Sequence, residues 1–281
     1  VLLAGSGLFL RSAHQAFKFD LGFEARHLSL SQILIDRKRY SDTQAERFFR
    51  DLWGRVAALP EAQSVALAEG PLLDGGRYDG RHKLKLAGAE QAPFGDRRLE
   101  SFFVSPQFFA TVGIPFVSGR DFTERDHLGD GRVVIINEAL ARRAFPGQNP
   151  VGRELRLIPD FVQPNGAPLD IIGVVKDASH HIPGEGSEPY LYRPIAQFSG
   201  YRSNYIVMFV RAQRDSAAVQ SSVANLISSL DPGVNFSQGT LADNLHRITL
   251  PSKIASAFFG LFGALGMLFA AVGLSGTLAY A

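Results

Sequence analysis

The run from Ile254 to Ala281, IASAFFGLFGALGMLFAAVGLSGTLAYA, carries no charged residue. An apolar helix needs about 20 residues to cross roughly 30 Å of hydrocarbon, and this run is longer. A helix in the core of a soluble domain is usually shorter and apolar on one stripe, whereas this one is apolar or small all round. The pattern predicts a membrane span over 254–281. Its glycines, Gly260, Gly263, Gly266, Gly273 and Gly276, are poor helix formers in water but frequent in membrane helices. Ser256, Gly260 and Ala264 recur at four-residue spacing and share one face, suited either to close packing of a neighbouring helix or to lipid.

The opposite end begins VLLAGSGLFL and meets its first charge at Arg11. No basic stretch precedes this apolar segment, as a signal peptide would require, and ten residues are about half of a span. Residues 1–18 are therefore expected to be the end of a first transmembrane helix and its stalk, in a chain cut from a longer protein.

Between these ends the sequence is that of a folded domain. Hydrophobic residues make up 46% of the chain and charged residues 20%, and the net charge of +2 gives no footing for nucleic acid. With no cysteine, the chain has no disulfide, no catalytic thiol and no cysteine-based zinc site.

Two stretches of the middle share one layout. His27 to Ile35 alternates as a strand, and Ser41 or Asp42 can cap a helix over Thr43 to Leu59. That helix would carry Ala45, Phe48, Phe49, Leu52, Val56 and Leu59 on one stripe, with the strand Gln63 to Ala68 after Pro60. Later, a strand at Asn204 to Ala212 precedes a helix capped by Asp215 or Ser216 and running to Leu230. Asp231-Pro232-Gly233 closes it before a short strand at Val234 to Ser237. Two strand–helix–strand units predict an α+β fold, a split ferredoxin-like module, with residues 19–71 as its first half and 204–239 as its second. Residues 72–203 are too long for a loop and are expected to form an inserted, mostly β subdomain. It opens with glycine-rich turns between Asp74 and Gly80. Strands are expected at Lys83–Leu86, Leu99–Val104, Val133–Ile136, Leu155–Ile158 and Asp170–Lys176, and helices at Pro106–Val112 and Asn137–Phe145. The segment 240–253 carries an apolar stripe of Leu241, Leu245, Ile248 and Leu250. It is expected to be an amphipathic coupling helix that Pro251 interrupts just before the span.

Within 72–203 the residues that stand out are ones that shape backbone. Gly113 and Gly119 permit tight turns around Ile114-Pro115. Arg120 and Asp121 can pair, or Asp121 can hold loop amides. Asn137 is placed to cap the next helix, and Gly147 and Gly152 bracket a turn beyond it. Catalytic patterns are absent: the sequence has no G-x-S-x-G, no H-E-x-x-H and no Walker A loop. His180-His181 with Glu185 and Glu188 is a conceivable metal set, but adjacent histidines point apart and the Pro/Gly-rich surroundings predict a solvated loop.

The succession VSPQFFATVGIPFVSGRDFTERD (104–126), VVIINEALARRAFPGQNPVGREL (133–155) and DIIGVVKDA (170–178) closely resembles the extracytoplasmic core of MacB/FtsX-like ABC transporter permeases. GLFLRS resembles the end of that family's first membrane helix, and LFGALGMLFAAVGLSGTLAY the start of its second. The chain is most similar to the large bacterial permeases, common in acidobacteria, that carry two such units. The residues of these motifs are Gly113, Pro115, Gly119, Arg120, Asp121, Asn137, Glu138, Pro146, Gly147, Gly152, Gly173 and Asp177, and they are expected to specify the fold rather than chemistry.

The resemblance implies a permease, not an enzyme, in a bacterial inner membrane, with its large domain in the periplasm or outside. It implies no cofactor in this chain, ATP being bound by a separate cytoplasmic ABC ATPase. It further implies a second permease copy or half, contact with the bilayer, and periplasmic or outer-membrane partners. Two functions follow from it: export driven by mechanotransmission from the ATPase, or, as in FtsX-like members, control of a cell-wall hydrolase outside the membrane. The inserted β subdomain favours the first. Arg11, Lys18 and Lys253 on the domain side would by the positive-inside rule point to the cytoplasm, but that bias is weak for long translocated domains.

Overall fold

The computed structural model describes residues 21–73, 82–84, 99–126, 132–156, 168–180, 188–195 and 205–278. The chain divides into two compact units, Leu21–Asn244 and Val1–Asp20 with Leu245–Ala281.

The first unit is built from β1 (Leu28–Leu34), α1 (Asp42–Ala57), β2 (Ala62–Ala68), β3 (His82–Leu84), β4 (Leu99–Val104), α2 (Phe108–Val112), β5 (Phe116–Gly119), β6 (Val133–Asn137), α3 (Glu138–Ala144), β7 (Glu154–Leu155), β8 (Leu169–Val175), β9 (Tyr190–Pro194), β10 (Tyr205–Ala212), α4 (Ser216–Leu230) and β11 (Asn235–Thr240). Among the described residues all eleven strands belong to one sheet, ordered β11-β1-β10-β2-β4-β9-β6-β8-β5, with β3 on β4 and β7 on β8.

The two strand–helix–strand units interleave at one end of this sheet. β10 lies between β1 and β2 and β11 outside β1, all antiparallel, which is the ferredoxin-like order. Each helix starts where its cap places it. Ser41 and Gln44 form a reciprocal box, Gln44 N–H donating to Ser41 Oγ at 3.3 Å and Ser41 N–H to Gln44 Oε1 at 2.8 Å. Asp215 accepts the Ala217 amide at 2.9 Å to open α4. α1 buries Ala45, Phe48, Phe49, Leu52 and Val56, and α4 buries Val219, Val223 and Ile227, at helical spacing. Both stripes pack on one face of the sheet against Ile33, Val65, Met208 and Val210. Each of the larger side chains contributes about 1.5–3 kcal/mol of transfer free energy.

The strands of 72–203 extend the same sheet. The junction is narrow, one strand pair at Ala68↔Val104, supplemented by Ser105, whose N–H donates to Leu67 O at 2.8 Å and whose Oγ accepts the Leu67 amide at 2.9 Å. Beyond it β6 and β8 run as buried Val/Ile/Leu strands beside β9, and α3 packs Leu140 over Val134, Ile136, Ile171 and Leu191. β5 and β9 are not singled out by alternation in the sequence, yet β9 lies inside the sheet, parallel to β4 and antiparallel to β6. The expected turns at 74–80, residues 85–86 and 157–158 of two expected strands, and Asn204 lie outside the described residues.

Helix α5 (Leu241–Leu278) begins directly after β11. A second reciprocal box opens it: the Thr240 amide and hydroxyl donate to Asp243 Oδ2 at 3.0 and 2.7 Å, and the Asp243 amide donates to Thr240 Oγ1 at 3.0 Å. The expected interruption at Pro251 does not occur, because the helix continues through it. A proline inside a helix removes one donor and crowds the carbonyl four residues earlier, at a cost of about 3 kcal/mol, so the residues around Pro251 hold the helix against it. The Thr249 hydroxyl adds a bond to Leu245 O at 2.8 Å in the turn before it. In the second unit α5 exposes Leu250, Ile254, Phe258, Leu261, Phe262 and Leu265. Among the described residues no helix is long and apolar enough to cross a membrane, and residues 1–18, expected as a first helix end and stalk, lie outside them.

Candidate functional site

The polar residues of the motifs gather into two knots, both in the part of the sheet beyond the narrow junction. Asn137 ends β6 in extended conformation, which lets its side chain turn back over the first turn of α3. Its Oδ1 accepts the Leu140 amide at 3.1 Å and the Tyr190 amide at 2.9 Å. Its Nδ2 donates to Asp177 Oδ1 at 2.8 Å and to Glu188 O at 2.7 Å. Both lone pairs and both protons of one amide are thus used, and 1% of the residue is exposed. Asp177 completes the knot, accepting the Ala139 amide and Arg142 Nη2 at 2.7 Å each. β6, α3, the end of β8 and the start of β9 are fastened at one point. Glu138 sits beside it, 3.9 Å from Lys176 Nζ.

The second knot follows α2. Gly113 ends that helix at φ +83°, donating its amide to Phe109 O at 2.8 Å, with Glu24 packed against it. Pro115 O accepts the Lys176 amide at 2.9 Å at the start of β5. Of the two arrangements open to Asp121, the structure has the loop-holding one: its carboxylate accepts the amides of Phe122 at 2.7 Å and Gln107 at 3.1 Å. Arg120 instead reaches Asp126 in a two-pronged contact of 2.8 and 2.9 Å. Hydrogen bonds from Arg120 and Thr123 hold the Asp126 carboxyl at about 2, below its ordinary 3.8, whereas burial raises that of Asp121. The signs oppose. Asp126 contributes stability that is fully present above its ordinary value and is lost as the pH falls toward about 2, while protonation of Asp121 relieves its burial cost.

Gly119 and Gly173 let these strands meet. At Gly119, φ is +80° and a Cβ would stand 2.2 Å from Ile172 O; at Gly173 it would stand 2.7 Å from Arg120 O. Gly147 and Gly152 also have positive φ, but around open space, so only their backbone conformation is special. Pro146 is exposed beside Gly147.

His180 corrects an expectation. It is buried, not part of a solvated loop, with 2% of its surface exposed. Its Nε2 is 2.7 Å from the Tyr192 hydroxyl and its ring stacks on Tyr190 at 4.0 Å. Two tyrosines of β9 create this environment, and β9 is distant in sequence. His181 and Glu185 lie outside the described residues, Glu188 is exposed, and no group of three metal-capable side chains exists among the described residues. Aromatic packing continues across the junction, Phe108 of α2 meeting Phe102 on one side and Phe209 on the other.

Two further fasteners carry no sequence signature. Arg211 donates from Nε to Thr111 O at 2.7 Å, from Nη1 to Arg26 O at 2.8 Å and from Nη2 to Glu24 O at 2.8 Å. Asp231 accepts from Arg39 at 3.0 Å and from the Tyr40 hydroxyl at 2.5 Å, joining the β1–α1 loop to the end of α4. Burial and the Asp231 contact push the Tyr40 hydroxyl up to about 12.

Chemically, these groups hold backbone. Each polar motif side chain is spent on an amide, a carbonyl or an ion pair of its own chain. Of the small-residue face, Gly260 is exposed in α5, and a Cβ there would meet nothing within 4 Å. The side chains of Ser256 and Ala264 lie outside the described set.

The family described as MacB-like periplasmic core domain matches residues 23–226. Among curated proteins, the uncharacterized ABC transporter permease YknZ of Bacillus subtilis (strain 168) is 36% identical over 74 residues, 26% of this chain and 17% of that protein. The macrolide export ATP-binding/permease protein MacB of Aggregatibacter actinomycetemcomitans is 25% identical over 178 residues, 59% of this chain and 26% of that protein. The chain thus covers only a minor part of either relative. Among solved structures, the periplasmic region of MacB from Actinobacillus actinomycetemcomitans shares the fold with a TM-score of 0.50 and 17% identity, covering 86% of this chain and 98% of that one.

Proposed function

We propose, on the premise that the chain belongs to the family of MacB-like periplasmic core domains, that it is the extracytoplasmic part of an ABC transporter permease. In this reading it passes motion from a cytoplasmic ATPase to substrates outside the membrane. The observation that carries the reading is the family match, which spans nearly the whole α/β unit. The site geometry supports it. The motif side chains fasten the strands and helices to one another through amides, carbonyls and ion pairs, as suits a part that passes motion on.

In this reading the uncharged run 254–281 anchors the domain in the inner membrane. ATP binds to a separate ABC ATPase, and this chain holds no cofactor and no nucleic acid. A second permease copy or half completes the transporter, with periplasmic or outer-membrane proteins as further partners. Control of a cell-wall hydrolase is the other reading of the same architecture.

Sidedness is the first test. The chain has no cysteine, and Gln148 is exposed. In spheroplasts expressing the full-length permease with this chain's single thiol at Gln148→Cys, a membrane-impermeant maleimide is expected to label that position without lysis. Labelling only after lysis would put the domain in the cytoplasm and overturn the reading.

A further inference from the structure

The two edges of the sheet are built differently. At one, β5 is four residues long, follows Pro115 and shifts register between Phe116 and Ser118. Short length, proline and irregularity are the usual devices that blunt an edge. At the other, β11 has none of them. It is six residues in unbroken register with β1, from Ser29↔Thr240 to Leu34↔Asn235, and contains no charge and no proline. Among the described residues no strand pairs with its outer side. A regular uncharged edge is a template for another strand.

The helix beside this edge matches it. α4 packs on β1, β10 and β11, and Gln238 Nε2 of β11 donates to Gln220 O of α4 at 2.9 Å. The exposed residues of α4 are Ala217, Ala218, Ser221, Asn225, Ser228 and Ser229, all uncharged. The exposed side of α1, at the other flank, carries Asp42, Arg47, Arg50, Asp51 and Arg55. From Ser216 to Ala242 the only charged residue is Asp231, and its carboxylate is held by Arg39 and Tyr40.

We propose that β11 and α4 form the docking face for a second copy of this chain, β11 pairing antiparallel with its twofold mate so that two sheets continue as one. A twofold contact sets each residue near the axis against its own kind, so charge there would repel itself. A charged partner, conversely, finds no charged side chain on β11 or on the exposed side of α4 to hold. The inference takes from the functional reading only that a second copy exists, and adds where the copies meet.

The absence of cysteine permits a direct test. Ser237, exposed in mid-strand, becomes cysteine with little change of size, and Val117, 48% exposed on β5, is the control on the opposite edge. On copper-phenanthroline oxidation of the purified chain in detergent, Ser237→Cys is expected to yield roughly tenfold more disulfide-linked dimer than Val117→Cys, since docking raises the local thiol concentration. Ser237→Asp, setting like charges face to face, is expected to lower the dimer fraction measured by light scattering, with the circular dichroism unchanged. Equal cross-linking at both edges, or a dimer indifferent to Ser237→Asp, overturns this face while leaving the second copy standing. A chain that is monomeric throughout overturns both. Cross-linking of Ser237→Cys to a different protein in intact cells, in place of the dimer, assigns the edge to another partner and overturns the proposal as well.

Discussion

Replacing Asn137 with aspartate is expected to destabilise the α/β unit by about 3–5 kcal/mol. The substitution keeps shape and both acceptors, so Leu140 and Tyr190 can still donate to it. It removes the two protons given to Asp177 and Glu188 O, and it sets a second carboxylate 2.8 Å from the first where 1% of the residue is exposed. In a domain of this size such a loss lowers the thermal midpoint by about 10 °C. The double variant Asn137→Asp with Asp177→Asn restores an amide–carboxylate pair in the reverse sense and is expected to recover about half of the loss. Thermal unfolding followed by near-UV circular dichroism reads both. A single variant within about 1 kcal/mol of the unaltered chain would mean that the knot is replaceable by other contacts.

Gly119→Ala is expected to cost more than about 3 kcal/mol, and the comparison with Gly147→Ala says why. Both glycines have positive φ, +80° and +69°, so both alanines carry the backbone penalty of about 1–2 kcal/mol. At Gly147 the new methyl enters open space. At Gly119 it arrives 2.2 Å from Ile172 O and 2.6 Å from Gly173 Cα, so β5 must part from β8. Chemical denaturation of the two variants side by side separates conformation from collision. Equal losses would show that β5 shifts freely and that the close approach carries no energy.

Local signals account for what could be read from the sequence. The stripe Ala45, Phe48, Phe49, Leu52, Val56 sits at helical spacing behind a capping serine, so α1 needs no partner to be recognised. The repeated strand–helix–strand layout carried the ferredoxin-like half in the same way. Non-local effects hid the rest. β9 is flanked by Pro189 and ends at Pro194, which reads as loop punctuation, yet its pairing with β4 and β6 makes it an interior strand. His180 was hidden for the same reason, since the tyrosines that bury it stand on β9.

Arg120 and Asp121 are neighbours in sequence. The turn that brings Asp126 back to Arg120, and so takes Arg120 away from Asp121, leaves no pattern in composition. Pro251 misled in the opposite direction. Its strong local preference is overridden by a helix with apolar and helix-compatible residues on both sides.

That these rigid parts serve export is tested most directly by the full-length permease, purified with its ATPase and reconstituted in lipid. ATP turnover would be measured against a panel of macrolides and lipopeptides, and co-purifying proteins identified by mass. At least one compound is expected to raise turnover several-fold, with no cell-wall hydrolase accompanying the complex. Turnover indifferent to every compound, with a stoichiometric hydrolase bound and activated in the presence of ATP, would contradict it and make the domain a signal transducer.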